Sequence, residues 1–108
     1  MSSESNNIEI ILRAINESDK KVLDIIEFTK EEIKNFFENA VLFQKTKKEN
    51  YRKAANEISG DILIQLLRAV SILEKRNDQN SINTKNAIMK IMKIIIDSRK
   101  NIGLNPQK

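Results

Sequence analysis

Any chemistry in this sequence would have to come from carboxylates, amines, amides and hydroxyls, because its 108 residues include no His, Cys or Trp. That removes imidazole acid–base catalysis, the Ser-His-Asp and Cys-His triads, thiolate nucleophiles and the usual zinc ligands. A di-iron bundle of the ferritin type needs Glu-x-x-His pairs on facing helices, and there is no His to complete them. The only glycines, Gly60 and Gly103, are isolated, so no glycine-rich loop can cradle a phosphate. Acid pairs remain. Glu27 and Glu31 are four apart, with Glu17, Asp24 and Glu38 along the same segment. On a helix that spacing makes one solvated acidic face. Asp19 differs because it falls in an apolar seam, where it is expected to cap a helix or form a polar layer. Asp97 is expected to face water beside Lys93 and Lys100. The expectation is a protein that is not an enzyme, with no catalytic residue, cofactor, metal site or evident small-molecule substrate.

The elements that would position these side chains are helices. Ile supplies 18 residues and aromatics only five (Phe28, Phe36, Phe37, Phe43 and Tyr51), while the chain has two Gly and one Pro. A β-sheet domain needs turn residues every ten or so positions, and this chain does not carry them. From Ile8 a four-and-three spacing runs through Leu12, Ile15, Asp19, Val22, Ile26, Thr29, Ile33, Phe36, Ala40 and Phe43. Ile11, Leu23, Ile25, Phe37, Val41 and Leu42 widen that seam into a face suited to a bundle. Asn16-Glu17-Ser18-Asp19 offers both a helix stop and a new cap, and predicts a break there, although the seam keeps phase across it. Ser5 or Asn6 is the expected first cap.

After a loop at 45–50 the rhythm resumes at Tyr51, Ala55, Ile58, Ile62, Leu66, Ala69 and Leu73, flanked by Leu63, Leu67 and Val70. Together they cover an arc of roughly 160° on a helical wheel. The stripe crosses Gly60 without losing phase, which predicts a continuous helix. Residues 77–81 form the clearest turn, with Ser81 as the expected cap of a last helix carrying Ile88, Ile91 or Met92, Ile95 and Ile102. Gly103 and Pro106 mark its stop. The fold class is therefore all-α: a small up-down bundle of three to four helices (5–17, 19–45, 49–76 and 82–101) with short loops, open to completion by dimerisation. Residues 1–108 form a single domain, with 1–4 and 103–108 expected as flexible tails.

No stretch approaches the ~18–20 apolar residues that span a bilayer, and the N-terminus lacks a signal-peptide pattern. A cytoplasmic location is expected. Ile, Lys and Asn make up 45 residues, and their AT-rich codons point to a low-GC bacterium, its phage or its plasmid. The net charge of +4 is unevenly spread: residues 1–40 carry −4, residues 41–76 carry +4, and residues 77–108 carry +4. Lys45, Lys47, Lys48, Arg52 and Lys53 cluster at one loop, and Lys85, Lys90, Lys93, Arg99 and Lys100 decorate the last helix. Three outcomes follow from this polarity: orientation within a bundle or dimer, contact with nucleic acid, or contact with an anionic membrane surface.

A helix-turn-helix pattern and a set of stacking aromatics are both missing, and the apolar stretch 88–96 is better used as core. The leading expectation is therefore a helical protein–protein interaction module, homo-oligomeric or regulatory, inhibitory or assembly-related. Ile64, which falls outside the main stripe, is its candidate interface with Leu63, Leu67, Phe37 and Phe43. The alternative is a nucleic-acid-binding accessory protein using Lys45, Lys47, Lys48, Arg52 and Lys53 together with Lys90, Lys93 and Lys100. In size, basic pI and four-helix outline the chain is similar to small bacteriocin immunity proteins; the likeness assigns no residue a role.

Overall fold

The apolar repeats fold into four helices: α1 (Ser3–Ala14), α2 (Lys20–Thr46), α3 (Glu49–Glu74) and α4 (Gln79–Asn101). The computed structural model describes residues 3–104, and no strand occurs among them. The break at Asn16–Asp19 is present. Residues 15–19 leave the helix, and the Asp19 carboxylate caps α2 by accepting from the backbone N–H groups of Lys21 (2.8 Å) and Val22 (3.2 Å). A polar residue thus occupies a seam position because it ends one element and starts the next. Gly60 lies inside a continuous α3, as the unbroken stripe requires.

Three local expectations need correction. The loop expected at 45–50 shrinks to Lys47 and Lys48. Lys47 takes the left-handed conformation (φ 59°) and its N–H reaches Phe43 O at 2.7 Å. The last helix opens at Gln79 with Asp78 as its cap, not Ser81. The Ser81 N–H and hydroxyl both donate to the Asp78 carboxylate, which draws Ser81 into the first turn and buries it. Asn6 lies within α1 rather than capping it, so Ser3 and Glu4 are helical rather than tail.

At the other terminus, the Leu104 N–H donates to Arg99 O at 2.9 Å and Leu104 is buried. Gly103 ends α4 with φ 78° as a stop signal should, but 103 and 104 belong to the packed structure and not to a tail. The remainder of both expected tails, residues 1–2 and 105–108, lies outside the described residues.

The helices follow one another around the bundle in chain order. α2 packs along α3, α3 along α4, and α1 against both α2 and α4, whereas the diagonal pairs α1–α3 and α2–α4 make no close backbone approach. Ile8, Ile33, Phe36, Ile62, Leu66, Leu73, Ile88, Ile91 and Ile95 are sealed from solvent at the centre. Full burial of such side chains stabilises by roughly 1.5–3 kcal/mol each. Phe36 and Phe37 meet edge to face with centroids 4.9 Å apart. Thr29, the second polar member of the seam, enters the core because its hydroxyl donates to Ile25 O at 2.9 Å, one turn back along α2. α1 supplies the fourth wall of the core.

Candidate interaction surface

Two arginines tie the ends of the bundle together. At the end where the α1–α2 loop meets the α3–α4 turn, Arg76 Nη1 donates to Glu17 Oε2 at 3.2 Å and Nη2 donates to Asp19 Oδ2. The Glu17 side chain is only 2% exposed, and its Oε2 also accepts the Asp19 N–H at 3.0 Å. Asn80 Nδ2 donates to Asn16 O at 2.7 Å beside it. The backbone N–H of Val22 holds the Asp19 carboxyl below the usual carboxylate range, with Arg76 adding to the effect. The Asp19 carboxylate in turn raises the Arg76 guanidinium. Asp78 is held low by the Ser81 N–H and hydroxyl. Glu17 and Asp19 thus form an ion-paired closure in which Glu17 uses Oε2 alone, its Oε1 being buried without a hydrogen-bond partner among the described residues, and Glu17 leaves the solvated acidic face that the sequence suggested.

At the opposite end, Arg52 reaches from α3 to the end of α4. Its Nε donates to Ile102 O (3.1 Å), its Nη2 to Gly103 O (2.8 Å), and its Nη1 pairs with Glu49 (2.6 Å). Arg52 therefore does not stand with Lys45, Lys47, Lys48 and Lys53 as a cation turned to solvent. Those four lysines are exposed, with Lys47 Nζ lying 5.8 Å from the Phe43 ring centroid. Lys100 is exposed on the last turn of α4, at the same end. Lys90 and Lys93 are exposed further along α4, with Lys93 3.5 Å from Asp97.

Arg99, which the sequence places among the surface charges of α4, is 3% exposed. Its Nη1 donates to Ser59 Oγ at 2.5 Å and to Asn56 O at 3.4 Å, and burial lowers its guanidinium pKa.

The apolar candidates also divide. Leu63 and Phe37 are buried in the core, because the arcs of α2 and α3 are wide enough to meet two neighbours each, and they offer no surface. Phe43 is partly buried against the core. Ile64 and Leu67 are each 54% exposed on α3, and Met89 on α4 is 52% exposed. Arg99 beside Asn56–Ser59, with Arg52 beside Ile102–Gly103, fixes the antiparallel register of α3 and α4. In that register Met89 is level with Ile64–Leu67, so the three exposed side chains lie at one height on neighbouring helices. Met89 could have been found from the sequence, since it sits beside the Ile88–Ile95 stripe and not in it.

No protein-family model, curated protein or solved structure matches this chain.

Two further features complete the surface. An open cleft of about 500 Å³ separates α1 from the first half of α4, lined by Ile10, Ile11, Ala14, Ile15, Ala87 and Lys90 together with Asn and Thr side chains. Among the described residues, no three acidic side chains converge as a metal site would require, and no helix is long and apolar enough to cross a membrane.

Proposed function

We propose that this chain is a non-enzymatic helical interaction module, of regulatory, inhibitory or assembly type, that meets its protein partner through the outer face of α3 and α4. One observation carries this reading. The chain has enough apolar side chains to fill a sealed core and still turns Ile64, Leu67 and Met89 outward, each more than half exposed. Scattered single exposures are ordinary on a protein surface, but three such side chains at one height on neighbouring helices are what a docking face offers. A setting in the cytoplasm of a low-GC bacterium, or in one of its mobile elements, is consistent with this role.

The test is a photo-reactive amino acid placed at Ile64 in the cells that make the protein, with Glu31 on the far side of the bundle as the control. Protein adducts at position 64 that are missing at 31 are expected. No adduct at 64 would defeat the proposal.

A second reading, binding of nucleic acid, is favoured by the convergence of Lys45, Lys47, Lys48, Lys53 and Lys100 at one end of the bundle. Such binding must weaken steeply with salt. A shift assay with DNA and RNA decides it, since no complex even at low salt removes that reading.

A further inference from the structure

We propose that α1 is an exchangeable helix: two copies of the chain each straighten at residues 15–19, fuse α1 to α2, and seat α1 in the other copy's α2–α4 groove. This goes beyond the α3–α4 face and does not depend on it.

The single chain shows what fits that groove. α2 and α4 make no close backbone approach, and α1 fills the space between them with Ile8 and Leu12, which are 0% and 2% exposed. A second copy's α1 carries the same side chains and fills the groove equally well, so exchange sacrifices no packing.

The phase of the apolar pattern shows how the exchange closes. Residues 15–19 separate α1 from α2, and a loop imposes no angular relation between the helices it joins. Yet Ile8, Leu12, Ile15, Asp19, Val22 and Ile26 keep a four-and-three spacing straight through it. The contacting sides agree as well. Glu9, Leu12 and Arg13 of α1 surround one small cavity with Lys30 and Lys34 of α2. On one continuous helix all five fall within an arc of about 100°. A two-fold axis across two fused helices requires that agreement, because each helix then turns one side to the other along its whole length. The pair Glu9–Lys34, at 4.0 Å, sets the axis midway between them in sequence, beside Lys21 and Val22. Leu23 falls in the same arc at that level. It is 38% exposed in the single chain, and the axis sets it beside its counterpart in the second copy.

The hinge is poised between the two forms. Closed, it buries the Glu17 side chain to 2% exposure with Oε1 lacking a hydrogen-bond partner among the described residues. Arg76 holds it closed through Glu17 and Asp19. Straightened, the hinge turns Glu17 to the side of the helix opposite the seam, where water solvates it.

The experiment mixes two full-length chains, one carrying Glu9→Cys and the other Lys34→Cys, and adds a short bismaleimide; the protein has no cysteine of its own. Exchange brings the two positions together across copies, so a covalent heterodimer is expected. With Arg68→Cys, on the helix diagonal to α1, in place of Lys34→Cys, the yield should fall at least about tenfold. Asn16→Ala combined with Ser18→Ala favours helix through the hinge. It should lower the dimer dissociation constant in sedimentation equilibrium by at least about tenfold. Ser18→Pro cannot continue a helix there and should leave a monomer with unchanged circular dichroism; should that variant fail to fold, the crosslink decides alone. A heterodimer no more abundant than the Arg68 control, with the alanine pair as well as without it, would overturn the proposal. So would a dimer that forms equally well with Ser18→Pro. A dimer lacking the link from position 9 to position 34 would overturn it too, and would leave the α3–α4 face standing as the contact.

Discussion

The two ends of the bundle are each tied by one arginine, and the two arginines are answered by different chemistry. Arg76 is met by two carboxylates, Glu17 and Asp19, one of them almost fully buried. Arg52 is met mainly by the carbonyls of Ile102 and Gly103, where the end of α4 presents unsatisfied oxygens and the negative pole of its dipole, and by Glu49 within its own helix. At the first end acids neutralise the arginine. At the second, carbonyls stand in for acids, and the neighbouring lysines have no ion pair among the described residues. The difference teaches that the basic character of one end follows from how the chain closes its fold as well as from how many lysines it places there. It also gives the first closure a carboxylate, Asp19, whose lowered pKa makes that end sensitive to acid.

The comparison breaks most severely at Arg76. Arg76→Ala leaves the buried Glu17 carboxylate without its counter-charge, and the melting temperature is expected to fall by about 10–20 °C, followed by circular dichroism. Arg52→Ala costs less, because the abandoned carbonyls lie near the surface and water can replace the guanidinium. A fall of about 5–10 °C is expected, with hydrogen exchange rising in the last turn of α4 and the first of α3.

The smallest effect is the one that sharpens the contrast. Asp19 and Asp78 titrate below their ordinary 3.8, so the stability they contribute is complete above that value and is lost as the pH falls through their lowered values. Thermal melts taken from pH 6 down to pH 2 should therefore decline on acidification. Asp19→Asn, which keeps a capping side chain but removes the charge, should flatten the decline, whereas Arg52→Ala should leave its slope unchanged. Equal slopes for the two variants would show that the ends do not differ as described.

Most of the fold was legible in the sequence because helix periodicity and cap chemistry are local. The four helices, the break before Asp19, the passage of α3 through Gly60 and the stop at Gly103 all follow from residues within one or two turns of each feature. The boundaries that moved did so for local reasons as well, as at Asp78, where an acid three residues before a serine outcompetes the serine as cap.

What the sequence could not show was which neighbour covers which face. Arg99 reads as one more cation on a basic helix until α3 lays Ser59 and Asn56 against it. Leu63 and Phe37 read as spare apolar surface until the adjoining helix closes over them. Glu17 reads as part of a solvated acidic row, and only the arrival of Arg76 from 59 residues away buries it. Ile64 stood outside its stripe by angle alone, and angle was enough, since no other helix lies on that side of α3.

The order of the helices around the bundle has a consequence for connectivity. α1 closes the ring by touching α4, and Glu4 and Ile102 line the same shallow cavity, so the described stretch of chain returns almost to where it started. The path is close to a circuit. A short bridge between those ends, with a new opening at the Lys47–Lys48 turn, would leave all four helix pairings intact and make α1 and α4 neighbours in sequence as they already are in space. The apolar faces encode a cyclic order of helices, and the point at which that cycle is cut into a linear chain is, for packing, nearly arbitrary.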